Sequence, residues 1–299
     1  MTSTLANLVD EVLLNLNGYT MRQDRTTHLT ASLTSSGLSL SLGSVSNIGK
    51  GVVEIDDELI WVDTYDRVSS TATAAPYGRG YQGSTAASHA TNTKVTISPT
   101  FPKLSIKRAI NDTIKATFPQ LYGVARTTFS LTATQSTYAV PADVQTVLAV
   151  SWDTPGPTGE WMPVRDWRSD PQANTTAYPT GQTISIYDRI TPGRTVQVVY
   201  TKEPSSLTNN NDVFESVTGL PSSCKDVIVY GASYRLASFI DPGRLTFTSA
   251  EADQADSKIQ YGSGSNAARF MLALYQQRLS EEAGKLRDQY PVRIHYTRY

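Results

Sequence analysis

The sequence predicts an α+β fold, in which helices from the N-terminal, central and C-terminal parts of the chain form one bundle that carries two inserted β domains. Apolar residues recur at helical spacing in four widely separated stretches, and between these stretches the pattern changes twice to strand-like alternation and turns. Short amphipathic helices are marginal alone, so each apolar stripe must be buried against another element. We expect the four stripes to be buried against one another.

Four segments carry the helical spacing. The first spans residues 4–17, where apolar residues form a single stripe. The second lies within residues 98–124 and repeats its apolar residues every four positions. The third, residues 222–239, is apolar almost all round, which predicts a central place in the bundle. The last ends at residue 290 after starting near residue 249 or 267.

The two segments between the helices have the period of β-strands. Leu38, Leu40 and Leu42 alternate with serines, which is strand spacing. Five strand candidates follow between residues 129 and 200. The predicted domains are residues 1–25 with the first bundle helix, 26–98 with a small β module, 99–125 with the second bundle helix, 126–205 with a β domain, and 206–299 with the C-terminal bundle helices and an extended tail.

The charge balance argues against electrostatic partners. The chain has 26 Lys and Arg against 27 Asp and Glu, a net charge of −1. Binding of nucleic acid or of a membrane surface is favoured by a strong positive field, which this balance does not provide. We therefore expect neither a specific DNA site nor a membrane partner. The single cysteine, Cys224, lies in an apolar run, and we interpret it as a buried, unreactive thiol.

No set of residues in the sequence has the spacing of a catalytic or metal site. The three histidines, His28, His89 and His295, lie in different segments. The Gly-x-Gly-x-x-Gly string at residues 78–83 lacks the flanking strand and helix of a dinucleotide site. We expect no catalytic residues, no cofactor and no metal, and interpret the protein as a non-enzyme. The acidic run at residues 54–58 is interpreted as a solvated turn.

A hydrolase acting on cell-wall glycan is an alternative that the sequence leaves open. Such an enzyme needs two carboxylates on either side of a cleft. The available residues are Asp153, Glu160, Asp166 and Asp170. Nothing in the sequence arranges them into a pair.

A short stretch with several glycines resembles a known phage module. Residues 77–89, with residues 58–62 upstream, resemble an Arg-Gly…Gly-Thr-x-Ala-x-x-His signature in small β modules of tailed-phage structural proteins. The match is close but not strict, because Ser84 replaces one position and Thr85 follows it. The glycines allow tight turns, and we expect His89 to form hydrogen bonds within the turn.

A longer resemblance covers roughly residues 126–240. It rests on an ordered series of short motifs: residues 137–145, 161–164, 178–179, 184–187, 198–204, 220–222, 229–232 and 234–237. This order is similar to that of head-to-tail adaptors (connectors) and tail-tubular proteins of tailed bacteriophages. The resemblance implies a structural protein of the virion neck that is assembled in the host cytoplasm.

The resemblance also implies partners. Members of this group form a homo-oligomeric ring, usually twelve-fold, around the DNA channel. The ring binds the portal protein on one side and a downstream tail or neck protein on the other. DNA passes through the channel without specific binding.

The C-terminal tail is the predicted portal-docking segment. It alternates apolar and basic residues after Pro291, as a strand that adds to a partner's sheet would. The proposed docking residues are Val292, Arg293, Ile294, His295, Tyr296 and Tyr299. A frayed terminus is the alternative interpretation.

Two further functions stay open. One is a tail-fibre or receptor-binding module that recognises carbohydrate, since Trp152, Trp161 and Trp167 could stack on sugars. The other is a different neck protein, such as a stopper or a tail terminator.

Overall fold

The chain divides into two units, each assembled from separate parts of the sequence. The computed structural model describes residues 3–18, 24–154, 159–238 and 263–291. One unit, the two-sheet unit, comprises residues 1–5, 111–228 and 273–299, and the other, the six-strand unit, comprises residues 6–110 and 229–272.

Helices form close to the four segments that the sequence indicates. Within the described residues they are α1 (Leu5–Asn17), α2 (Lys103–Thr117), α3 (Phe214–Thr218), α4 (Lys225–Ala237) and α5 (Ser263–Gln289). Short 3-10 turns lie at Tyr81–Gly83 and Ser222–Cys224. The one-turn helix α3 was not predicted, since five residues are too few for a periodic pattern.

The predicted helical bundle with inserted β domains is wrong. The described part of the chain contains three antiparallel sheets, and the elements whose backbones lie closest together are paired strands, together with β4 and the 3-10 turn at Tyr81–Gly83. The physical reason is that an apolar stripe needs an apolar partner, but the partner need not be a helix. At the end of α5, Gln289 and the adjacent Tyr290 line a cleft with the sheet residues Ala149 and Val199.

The six-strand unit contains one antiparallel sheet in the order β1-β6-β3-β4-β5-β2. Its strands are β1 (Arg25–His28), β2 (Ser39–Ser41), β3 (Gly51–Ile55), β4 (Glu58–Asp66), β5 (Thr71–Ala74) and β6 (Lys94–Ile97). An isolated bridge between Leu29 and Leu42 joins the two outer strands beyond their ends. The sheet therefore curves back on itself, which limits its exposed edges.

The core of this unit lies inside the curved sheet. Alternate strand residues point inward, as the period of a strand requires. The buried cluster consists of Leu29, Leu33, Leu40, Leu42, Val45, Ile48, Val53, Ile55, Ile60, Val62, Ala72, Ala74, Val95 and Ile97. Each strand thus contributes at least one apolar side chain or is flanked by one.

The two-sheet unit contains a four-stranded sheet in the order β10-β9-β13-β7 and a three-stranded sheet in the order β11-β12-β8. Its strands are β7 (Gly123–Ser130), β8 (Thr137–Ala139), β9 (Thr146–Asp153), β10 (Trp161–Pro163), β11 (Trp167–Asp170), β12 (Thr183–Ile186) and β13 (Thr195–Lys202). Strands β10 and β11 were not predicted, because most of their residues are exposed and their sequences lack an apolar alternation.

One apolar core joins the two sheets of this unit. Val196 and Val198 of the four-stranded sheet are fully buried, and so is Ile184 of the three-stranded sheet. Phe129 stacks on Tyr138 with 4.4 Å between ring centroids. A shared core of this kind is what holds two sheets face to face.

Removing a side chain from this core tests its contribution. We expect Ile184→Ala to lower the free energy of unfolding by about 2–5 kcal/mol, because the substitution leaves a cavity between the sheets. The matched control is Tyr187→Ala, three residues further on, where the side chain is 56% exposed. Urea unfolding followed by circular dichroism measures both, and equal destabilisation by the two substitutions would contradict this core.

Candidate functional site

The acidic run lies on the β3–β4 hairpin and is only partly solvated. Asp56 and Asp57 form the turn, and Asp56 is exposed. Glu54 and Glu58 on the strands are buried, with 6% and 1% exposure. The interpretation of the whole run as a solvated turn is therefore wrong for these two glutamates, and each has its own partners.

Glu54 connects the hairpin to helix α2. Its Oε1 accepts a hydrogen bond of 2.6 Å from the backbone N–H of Lys103, the first residue of the helix. A carboxylate is favoured there by the unpaired N–H groups and the dipole of a helix start. Burial is the main cause that raises the pKa of Glu54 above its usual value. On the turn, Asp57 forms a second link, a 2.8 Å ion pair with Lys107 of the same helix.

Glu58 is the centre of a buried hydrogen-bond network. Arg79 donates to both carboxylate oxygens, from Nε at 2.7 Å and from Nη2 at 2.8 Å. The backbone N–H groups of Gly80 and Ala87 each donate at 3.0 Å, and Nε2 of His89 lies 2.9 Å from Oε2. Burial would raise the pKa of Glu58, but these bonds outweigh it and lower the pKa to about 2.

Arg79 uses every N–H of its guanidinium group. Besides the two bonds to Glu58, Nη1 donates to the carbonyl oxygens of Thr34 at 2.7 Å and Gly37 at 2.6 Å. Nη2 donates to the carbonyl oxygen of Ala87 at 2.7 Å. One side chain thereby holds the β4 strand and two loops together, and its fork geometry makes this possible.

His89 completes the network, and the expectation that it forms structural hydrogen bonds is confirmed. The side chain is buried, with Nδ1 2.8 Å from Oδ2 of Asp56 and Nε2 2.9 Å from Glu58. Its backbone N–H and C=O pair with those of Leu33. Its side-chain partners thus belong to the acidic run and not to the glycine-containing turn where they were expected.

The Gly-x-Gly-x-x-Gly string forms the turn that positions Arg79. Gly80 has a φ of 62°, and a Cβ there would lie 2.9 Å from the carbonyl oxygen of Ser84. A Cβ on Gly78 would lie 2.4 Å from the carbonyl oxygen of Trp61. The hydroxyl of Ser84 accepts from the N–H of Leu59 and donates to the carbonyl of Tyr81, each at 3.0 Å. The glycines therefore serve the backbone of this turn.

The side chains of this network hold one another and the surrounding backbone in place. Its carboxylate, guanidinium and imidazole groups already bond to one another and to backbone atoms. A buried charge pair of this kind needs all its partners, because the loss of one leaves an uncompensated charge. Glu58, Arg79 and His89 thus stabilise the local structure around the β3–β4 hairpin.

The residues considered for glycan chemistry lie at the ends of strands of the two-sheet unit or directly before them. Asp153 and Asp170 end strands β9 and β11, while Glu160 and Asp166 precede β10 and β11. In the described parts of the chain, no group of three or more His, Cys, Asp or Glu side chains is arranged so that it could hold a metal ion.

The three tryptophans of the same unit do not form one exposed stacking surface. Trp152 and Trp167 are partly buried and pack against the core between the sheets. Trp161 is 44% exposed. Trp161 is the most exposed of the three.

The remaining single residues have simple roles. Cys224 is fully buried, as expected, and burial, followed by the nearby Glu282, raises the pKa of its thiol to about 12. A thiol with such a pKa is unreactive at neutral pH. His28 is exposed on β1.

The predicted portal-docking residues lie outside the described residues; they are Val292, Arg293, Ile294, His295, Tyr296 and Tyr299.

A surface cleft that the sequence did not indicate lies between the four-stranded sheet and the end of α5, within the two-sheet unit. We call it the α5 cleft, and its volume is about 300 Å³. Its lining includes Ala149, Val199, Trp161, Pro163, Tyr290 and Pro291. Sequence analysis missed it because its residues come from strands that are distant along the chain and from the unpredicted β10.

Comparison with known proteins places the chain among phage adaptors. A family model described as "SU10 adaptor protein" matches residues 84–295, more than two thirds of the chain. The chain therefore belongs to the SU10 adaptor protein family, and it is a structural, adaptor-type protein of a bacteriophage. The match begins within the glycine-containing turn, so Glu58 and Arg79 lie outside it.

No curated protein matches the chain. None of the described helices has the length and hydropathy needed to span a membrane.

Breaking the ion pair tests whether the network supports the fold. We expect Arg79→Ala to cost about 3–5 kcal/mol of unfolding free energy, because the substitution leaves the Glu58 carboxylate buried without its cation. The control is Lys50→Ala, whose pair with Asp63 has side chains 66% and 43% exposed. There we expect little change, since exposed pairs contribute little. Similar urea midpoints for the two substitutions would contradict a buried ion pair.

The pKa of Glu58 predicts how stability depends on pH. Its pKa is lowered from 4.5 to about 2 on folding, so its contribution is complete above pH 4.5 and is lost as the pH falls from 4.5 to 2. We expect Glu58→Gln to be less stable at neutral pH and to lose less stability across that interval. Urea midpoints at a series of pH values measure this, and parallel curves for the two proteins would refute it.

Proposed function

We propose that this chain is a head-to-tail adaptor that forms an oligomeric ring between the portal and the tail of a tailed phage. The observation that carries the proposal is the match of residues 84–295 to the SU10 adaptor protein family. The order of motifs from residue 137 to residue 237, similar to that of head-to-tail adaptors and tail-tubular proteins, supports the position in the neck.

Large apolar side chains left exposed in the single chain support contact between copies. Helix α1 buries Leu8 and Val12, yet Leu14 on the same helix is 75% exposed. Phe270 on α5 is 56% exposed. Burial of such side chains against a neighbour is favourable, at roughly 25 cal/mol per Å² of apolar surface. We propose that the sides of these helices contact adjacent copies in a twelve-fold ring.

The role is proposed to be structural and not catalytic. The one dense cluster of ionisable groups described above, around Glu58, is occupied by its own internal bonds. Partners of the ring are the portal protein and a downstream tail or neck protein. The net charge of −1 suits a channel through which DNA passes without specific binding.

The C-terminal tail is proposed as the portal contact. Its alternation of apolar and basic residues from Val292 to Tyr299 suits strand addition to a partner's sheet. A stopper or a tail terminator is less well supported, because the matching family model is that of an adaptor. A carbohydrate-recognition module is less well supported, because Trp152 and Trp167 pack against the core.

Electron microscopy of the purified protein, alone and with its portal, tests this function. We expect rings, and we expect them to bind one end of the portal. Leu14→Asp should reduce ring formation, because it places a charge at the proposed contact between copies. The matched control is Val68→Asp, at a hairpin position that is 96% exposed.

Deletion of residues 292–299 separates the two parts of the proposal. Rings that form but no longer bind the portal are the expected result. Monomers at all concentrations, or binding of a glycan array in place of the portal, would contradict an adaptor ring.

A further inference from the structure

Strand β10 has a backbone edge that no other described strand covers. It is the outermost strand of its sheet and pairs only with β9. The carbonyl of Glu160 accepts from Thr154, and the N–H of Val164 donates to Val150, so these flanking groups point towards β9. The alternation of an antiparallel ladder then directs the N–H and C=O of Trp161, and the C=O of Pro163, away from β9.

The side chains along this free edge are apolar and partly exposed. Trp161 is 44% exposed and Met162 is 47% exposed. Trp161 and Pro163 also line the α5 cleft, so the edge and the cleft are parts of one surface. An exposed apolar edge strand is a template for another strand, and proteins generally cover such an edge.

The chain itself supplies a segment suited to this surface. Pro291, at the end of the described residues, lines the α5 cleft, and eight residues follow it. Eight extended residues reach up to about 26–29 Å, which exceeds the roughly 10 Å length of β10. In that segment Val292, Ile294 and Tyr296 alternate with polar residues, so an extended chain would present all three on one face.

Attachment to the same chain favours this segment over free partners. A short tether gives an intramolecular ligand an effective concentration in the millimolar range. Pairing of a few backbone groups is weak, but within one chain it is then favoured over binding of a separate molecule. A second copy or another protein must first overcome this advantage.

We propose that residues 292–299 of the same chain add to the free edge of β10 and place their apolar face in the α5 cleft against Trp161. The inference goes beyond the proposed function and does not depend on it. One consequence does rest on the proposed function: a segment paired with β10 cannot pair with the portal at the same time. Portal binding would then require its release and would uncover Trp161.

Photo-crosslinking of the full chain, without any portal, tests the occupant directly. A benzophenone amino acid replaces Ile294, and the products are mapped by mass spectrometry after separation by size. The expected product is a single chain crosslinked within residues 159–163. Products that join two chains would assign the cleft to a neighbouring copy and overturn the proposal, and so would the absence of crosslinks to that region.

Fluorescence quenching by acrylamide gives a second readout on the full chain. We expect Val292→Asp with Ile294→Asp to increase quenching, because the apolar face leaves the cleft and exposes Trp161. The matched control, Arg293→Ser on the opposite face, should leave quenching unchanged. In a background with both Trp161→Phe and Trp167→Phe the increase should disappear, since these two tryptophans line the α5 cleft.

Unchanged quenching in the double variant would overturn the proposal. Because both measurements use portal-free protein, their outcome is separate from that of the ring and portal experiment. Rings without this docking would refute the present inference alone, and docking without rings would refute the proposed function alone.

Discussion

The buried carboxylate of Glu58 is the constraint around which the six-strand unit is organised. A charged group removed from water must be paired and fully hydrogen-bonded, or it destabilises the fold. Here Arg79, 21 residues away, satisfies both carboxylate oxygens and also binds the carbonyls of Thr34 and Gly37. The start of β4 and the two loops that contribute these groups must therefore come together before the buried charges are compensated.

In the two-sheet unit, apolar packing and not a buried charge holds the strands together. Its core lies between a four-stranded and a three-stranded sheet, and alternate residues of β13 point into it. Sheets that are stabilised from within leave the sides of helices and the edges of strands available for contacts with other proteins. An adaptor needs such contact surfaces.

Sequence periodicity located the helices but not their partners. The stripe predicted at residues 4–17 corresponds to α1 at Leu5–Asn17, because helical spacing reports directly which face is apolar. It does not report what covers that face, and the predicted bundle failed for this reason. Strand β10 escaped prediction because an edge strand with all three residues exposed has no alternation to detect.

The hydrogen-bond network was equally hidden in the sequence. Glu58 looked like part of a solvated acidic turn, since nothing local distinguishes it from Asp56 and Asp57. The signal lay in the combination of an acidic residue directly before the apolar run at residues 59–62 with the downstream Arg79 and His89. Hydrogen bonding by His89 was predicted correctly, because a buried polar group is nearly always paired. Its partners were not, since Asp56 and Glu58 lie outside the turn.

Nuclear magnetic resonance of the Glu58 side-chain carboxyl carbon, titrated with acid in the folded protein, tests the central claim most directly. The structure predicts a midpoint near pH 2, because five donors stabilise the charged form against the cost of burial. A midpoint at the ordinary value of 4.5 would show that the carboxylate is solvated, and the account of how this unit is held together would be wrong.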